Sequence, residues 1–146
     1  MWEMPILSIV SELTHILRGD NNSYNAEREL DRAALKTRKI LSNGLILGDM
    51  GTRRRFSFDH QDNIIRTMKS IYQTGGYEDA EGFHPWSGKF TGTSNVYFAM
   101  KYDLIAIGTM SHQLIEFEEN VSGIYECNFN VMKKFSDVYD GDNGIF

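Results

Sequence analysis

Leu104-Ile105-Ala106-Ile107-Gly108-Thr109-Met110-Ser111-His112 is the stretch on which the reading of this chain turns. An apolar run breaks into small polar residues, and a histidine stands four residues past the glycine. In an α/β protein such a break marks the carboxyl end of a strand, where sites are built. A histidine there passes protons or accepts phosphoryl groups. For one isolated histidine a capping or core role is the better account; two further polar clusters in similar positions shift that judgement.

Working outward, Ile6, Ile9, Val10, Leu13, Ile16 and Leu17 recur at helical spacing after Pro5, which suits a first helical turn, and Gly19-Asp20-Asn21-Asn22-Ser23 ends that helix. A second helix is expected from Asn25 to Ser42, closed by Asn43-Gly44. Leu45-Ile46-Leu47 reads as a short buried strand. Ser57 or Asp59 then caps a third helix with Ile64, Ile65, Met68, Ile71 and Tyr72 on its apolar face. The glycine-dense residues Thr74–Lys89 are expected to form a long loop, with room for a short strand at Lys89–Thr91. Thr93 or Ser94 caps a helix over Val96–Tyr102, the strand Leu104–Gly108 follows, and His112 leads into a helix reaching Glu119. A last helix aligns Ile124, Cys127, Val131, Phe135 and Val138, and Gly144-Ile145-Phe146 resembles the start of a further strand. Strands alternating with helices imply an α/β fold with parallel pairing.

The chain has 146 residues, 41% hydrophobic and 24% charged, the profile of an ordinary globular domain. Its net charge of −5 argues against nucleic acid and gives no general pull on anions, so anion binding has to be local. The single cysteine, Cys127, excludes an internal disulfide and reads as a small core residue. No apolar stretch approaches membrane-spanning length and the start lacks a basic leader, which points to a cytoplasmic-type protein with no membrane partner.

Three polar clusters stand out. Asp49-Met50-Gly51-Thr52-Arg53-Arg54-Arg55 offers guanidinium forks to phosphate or carboxylate oxygens, with Arg53 nearest the strand end. Gly92-Thr93-Ser94-Asn95 opens a helix, where hydroxyls and free N–H groups bind anions, although a plain cap explains it as well. The third is Gly108–His112. Each follows an apolar run or precedes a helix, so all three are expected at one mouth of a parallel sheet. His15 reads as a surface or packing residue, His60 as solvated at the start of a helix, and His84 as loop surface. The acidic pairs Glu78-Asp79 and Glu118-Glu119 read as solvated faces, although a loop carboxylate could assist a metal.

These motifs, in this order, with Trp2-Glu3-Met4-Pro5-Ile6-Leu7 at the start, resemble those of nicotinate phosphoribosyltransferases. The resemblance covers essentially the whole chain and implies that residues 1–146 are a central fragment of that family's enzyme. The fold it implies is a partial, irregular TIM-like barrel of the type II phosphoribosyltransferase kind, incomplete at both ends and inactive in isolation. The implied reaction joins nicotinate to phosphoribosyl pyrophosphate with Mg2+, giving nicotinate mononucleotide and pyrophosphate for NAD salvage. ATP hydrolysis is coupled to it through a phosphohistidine. By resemblance, His112 is that catalytic histidine, Thr109 lies at the nicotinate, and Arg53 contacts the substrate and its phosphate. Ser94, with Asn95 beside it, matches the place where nicotinamide-using relatives carry an aspartate; serine there favours a carboxylate substrate. Met50 stands where relatives often have a stacking phenylalanine. The implied assembly is a homodimer or a complementing second chain. The alternatives are a truncated non-catalytic remnant or binding scaffold, and a nicotinamide-using relative, against which Ser94 argues.

Overall fold

A computed structural model describes residues 3–20 and 25–140 of the chain; Trp2, Asn21–Ser23 and the expected strand start at Gly144–Phe146 lie outside them. Two units are distinguished, Met1–Ala106 and Ile107–Phe146.

In the first unit, α1 (Glu3–Leu17) keeps Ile6, Ile9, Val10, Leu13 and Ile16 exposed. It is tied down by polar contacts: Ser11 donates to the Arg55 carbonyl at 2.9 Å, and Glu12 accepts from the Phe58 N–H at 3.2 Å. Asn25 caps α2 (Ala26–Ser42) by accepting from the Arg28 N–H at 3.0 Å. Ser57 caps α3 (Phe58–Gln73), accepting from the His60 N–H at 3.0 Å. These caps satisfy first-turn donors that no helical carbonyl can reach. The two helices pack against each other through Ala33, Thr37 and Leu41 of α2 and Ile65 of α3, four and eight residues apart on one α2 face.

That pair covers a sheet whose strands run in the order β1 (Ile46–Asp49), β4 (Lys89–Thr93), β5 (Ile105–Ala106), all parallel, with α4 (Val96–Lys101) between the last two. Phe90 of β4 and Phe98 of α4 are buried. The expected parallel α/β pairing is present, and the described residues leave the sheet small and open. Leu45–Leu47 is not the buried strand that its apolarity suggested. The strand begins one residue later, and Leu45 and Ile46 are exposed. The strand expected over Leu104–Gly108 shrinks to two residues, with Ile105 also exposed. Apolar side chains on a parallel strand are buried only if something covers both faces, and sequence alone does not report that.

Thr91 is an extra residue in β4: Leu47 pairs with Phe90, yet Gly48 pairs with Gly92 and Asp49 with Thr93. Such a bulge re-aims the side chains that follow it. Gly92 is required on its far side, because a Cβ there would lie 2.0 Å from the Ile105 carbonyl oxygen.

The loop expected across Thr74–Lys89 is instead an antiparallel hairpin, β2 (Gly76–Asp79) and β3 (Gly82–Pro85). Its glycines serve strand approach rather than looseness: a Cβ on Gly76 would sit 2.1 Å from the His84 carbonyl oxygen. Tyr77 stacks on His84 and Trp86 with ring centroids at 5.0 and 5.6 Å. The turn is pinned by Asp79, which accepts from the Glu81 N–H at 2.8 Å.

The second unit is a helix pair, α5 (His112–Ser122) and α6 (Cys127–Tyr139), joined at Gly123 in a left-handed conformation. Of the expected stripe, Cys127 and Val131 are buried and Phe135 is half-buried, whereas Val138 is exposed and Ile124 lies before the helix, also exposed. Glu118, read from the sequence as solvated, is buried instead and accepts from Lys134 at 2.7 Å. The Lys134 ammonium holds its carboxyl below the usual glutamate range. Among the described residues no helix is long and apolar enough to cross a membrane.

Candidate functional site

The first unit assembles around the carboxylate that ends β1. Asp49 is buried, and its Oδ2 accepts from the Thr93 hydroxyl at 2.7 Å and the Gln61 amide at 3.0 Å. Its Oδ1 accepts from the Gly51 N–H at 3.1 Å, and its carbonyl from the Ser94 N–H at 2.8 Å. Thr52 extends the set, its hydroxyl accepting from the Gln61 amide at 2.9 Å and from the Asn95 amide at 3.2 Å. Burial of a carboxylate is tolerated when donors replace its water, and here three do so: the Gly51 N–H two residues on, and side chains of α3 and β4 that lie 12 and 44 positions away. The bulge at Thr91 lets Thr93 join them. The result locks the 3-10 turn Thr52–Arg54 against the turn that opens α4.

Of the residues expected at a site, Ser94 and Asn95 are therefore brought to the Asp49 turn. Asn95, rather than Thr93 or Ser94, caps α4, accepting from the Tyr97 N–H at 3.1 Å. A two-carbon amide can cap α4 through its oxygen and still donate to Thr52 through its nitrogen, which a hydroxyl one bond from Cβ cannot span. The Ser94 hydroxyl is shielded and has no hydrogen-bond partner among the described residues. Arg53 turns aside to donate to Glu3 at 3.0 Å, in a pair exposed on both sides. Arg55 is the more buried arginine, 3.3 Å from Glu12 and stacked over Phe58 at 5.2 Å.

Thr109 and His112 belong to the second unit. Both are exposed; His112 is the first residue of α5, whose cap Ser111 accepts from the Gln113 N–H at 3.3 Å. An exposed imidazole at a helix start has the access and local field that suit an incoming phosphoryl group.

A cleft of about 570 Å3 lies beside the Asp49 turn, walled by the starts of α2 and α3. His15 and His60 line it with Phe56 between them; His15 stacks on Phe56 at 4.7 Å and holds Asp20 at 2.9 Å. His60, expected to be solvated, is instead half-buried at the first turn of α3; burial pushes its imidazole below the ordinary histidine value, with Glu29 pulling the other way. Asp79, Glu81 and His84 bring ligand atoms within 4.8 Å on the hairpin, but His84 there is hydrogen-bonded to Asp79 at 2.9 Å.

Sequence reasoning missed Asp49, Gln61 and Thr93 as a connected set. The available signal was Gln61 itself, a polar residue one turn before Ile65 on the inward face of α3.

Comparison with known proteins gives the same direction throughout. Residues 45–145 match the model of the nicotinate phosphoribosyltransferase (NAPRTase) family. A nicotinate phosphoribosyltransferase of Methanosarcina mazei is 32% identical over 160 residues, covering 99% of this chain and 36% of the relative. That of Saccharomyces cerevisiae is 30% identical over 145 residues, covering 98% and 32%. The crystal structure of nicotinate phosphoribosyltransferase from Porphyromonas gingivalis superposes with a TM-score of 0.74 at 28% identity, over 98% of this chain and 33% of that one. The chain spans about a third of the length of the curated relatives that it matches.

Proposed function

The chain belongs to the nicotinate phosphoribosyltransferase family, and from that premise we propose that it supplies one third of a catalytic subunit that makes nicotinate mononucleotide and pyrophosphate. The observation carrying this reading is the Asp49 network, which fixes Ser94 and Asn95 against the arginine-bearing turn. An enzyme that must orient a flat ring against an anomeric carbon benefits from such fixed polar turns.

In this reading the open sheet continues into an irregular TIM-like barrel, with further strands on the free edges of β1 and β5 and over exposed Ile46 and Ile105. The rest of the subunit, or a second chain, completes it in a cytoplasmic homodimer. Cleavage of the ribose–pyrophosphate bond builds positive charge on the sugar and negative charge on the leaving group. Arg53 leaves Glu3 for the phosphate of the substrate; an exposed ion pair holds by only about 1 kcal/mol or less, so the exchange costs little. The unpartnered Ser94 hydroxyl donates to the nicotinate carboxylate, where an aspartate would repel it. Asn95 steadies that turn, and Thr109 contacts the ring.

His112 is the residue phosphorylated by ATP. Its ring nitrogen attacks the γ-phosphorus, the bond to the β-phosphate oxygen breaks, and ADP leaves; water later takes the phosphoryl group. The start of α5 stabilises the added negative charge. Magnesium is expected to travel with phosphoribosyl pyrophosphate. Both oxygens of Asp49 are taken by N–H and O–H donors, so the strand-end residues do not fit a protein-held ion.

The test is nicotinate mononucleotide formation by the full gene product, wild type against His112→Ala. Retained basal turnover with loss of ATP stimulation is expected. Unchanged ATP coupling would remove His112 from this role.

A further inference from the structure

We infer that Thr52 is a further substrate-binding residue, whose hydroxyl donates to an oxygen of the pyridine carboxylate and so favours the acid over the amide. This role rests on the reaction proposed above and extends it to a residue given no part there.

Two amides reach Thr52, and the orientation of each is dictated from its far side. Gln61 donates through Nε2 to Asp49 at 3.0 Å; an ionised carboxylate only accepts, so the nitrogen and not the oxygen has to face it. The same nitrogen donates to Thr52 Oγ1 at 2.9 Å. Asn95 accepts through Oδ1 from the Tyr97 and Phe98 N–H groups, at 3.1 and 3.4 Å, as the cap of α4. Backbone N–H groups only donate, so Asn95 is left to present Nδ2 to Thr52, at 3.2 Å. Neither amide can turn over without setting acceptor against acceptor or donor against donor.

A threonine oxygen has two lone pairs and one proton. The two amides take up both lone pairs, so toward anything else Thr52 acts only as a donor. Among the described residues its O–H donates to no acceptor. Thr52 is half-buried rather than enclosed, directly precedes Arg53, and forms the contact between the arginine turn and the turn of Ser94 and Asn95. A donor held in place with nothing inside the protein to receive it suits an anionic substrate oxygen.

Ser94 differs in kind. Its hydroxyl has no fixed neighbour, so it is free to rotate and either donate to a carboxylate or accept from an amide. Thr52 has no such choice, and discrimination therefore falls more heavily on it. With Ser94 at one oxygen of the carboxylate, Thr52 takes the other. An amide in the same place offers an N–H that Thr52 cannot accept, or a neutral carbonyl that makes the weaker bond.

The test is initial-rate kinetics of the full gene product with nicotinate, and with nicotinamide as competitor, in wild type, Thr52→Val and Thr52→Ser. Valine keeps the shape and removes the proton. It should lower kcat/KM for nicotinate about tenfold or more, weaken nicotinamide less, and leave the KM of phosphoribosyl pyrophosphate near its wild-type value. Serine restores the hydroxyl and should recover the preference for the acid. Valine also leaves two amide nitrogens without their acceptor; a purely structural effect of that kind would weaken both pyridines and phosphoribosyl pyrophosphate together. An equal loss for nicotinate and nicotinamide, a loss confined to phosphoribosyl pyrophosphate, unchanged kinetics in Thr52→Val, or no recovery in Thr52→Ser would each overturn the role of Thr52 and leave the reaction standing. A wild-type enzyme that forms no nicotinate mononucleotide overturns the reaction itself, and the role of Thr52 with it.

Discussion

The turn after β1 and the start of α5 both carry residues assigned to chemistry, yet they are built in opposite ways. Around Asp49, donors from Gly51 at the cap of the 3-10 turn, Gln61 of α3 and Thr93 of β4 converge on one buried carboxylate. At His112 the backbone is fixed by a single serine cap and the ring lies in solvent. The difference separates two tasks. Groups that orient a substrate need neighbours that cannot move; a group that is charged and discharged by a second substrate needs access more than rigidity.

The largest effect should come from breaking the first region. Asp49→Leu strands the Thr93 hydroxyl, the Gln61 amide and the Gly51 N–H in a buried setting, and should cost about 3 kcal/mol or more. Urea unfolding followed by Trp86 fluorescence would measure it; Asp49→Asn, which keeps one acceptor oxygen, should lose less. Ser57→Ala removes the cap of the helix that carries Gln61 and should cost about 1 kcal/mol in the same assay.

On the other side of the comparison, the Glu118–Lys134 pair beneath α5 gives a pH test. Lys134 lowers the folded-state pKa of Glu118. The stabilisation is therefore complete above the unfolded glutamate value and disappears as pH falls through the lower, folded one. Amide exchange in α5 and α6 should thus be faster in Lys134→Met than in wild type at neutral pH, and the two should converge in acid. The smallest effect on stability belongs to His112→Ala, within about 0.5 kcal/mol, because the ring is exposed and only its chemistry is lost. A large destabilisation would mean that the second region is as tightly built as the first.

Local signals in the sequence were read well. Asn25 and Ser57 announce the starts of α2 and α3, Asn43-Gly44 closes α2, and the middle of the Ile124–Val138 stripe, Cys127 and Val131, packs as its spacing implies while its two ends are exposed. What escaped depended on partners distant in the chain. Asp49 meets residues 12 and 44 positions away, so neither its burial nor its role is visible in its own neighbourhood. Glu118 resembled half of a solvated acidic pair until Lys134 came round on α6 to meet it. The glycines of Thr74–Lys89 suggested a loop because glycine marks both slack chain and tight strand contact, and only the pairing of Gly76 with Pro85 tells them apart. The arginine run was legible as a binding turn, but not that Arg53 would be held by Glu3 while Arg54 and Arg55 line the cleft.

The additional residue in β4 has a consequence for how this stretch can vary. Side chains alternate along a strand, so residue count between Lys89 and Thr93 acts as a phase setting. Deleting Thr91, a change with no charge and little volume, would rotate Thr93 off its carboxylate and swing the whole following turn to the opposite side. Homologous sequences should therefore tolerate exchanges of side chain here far more readily than a change in length.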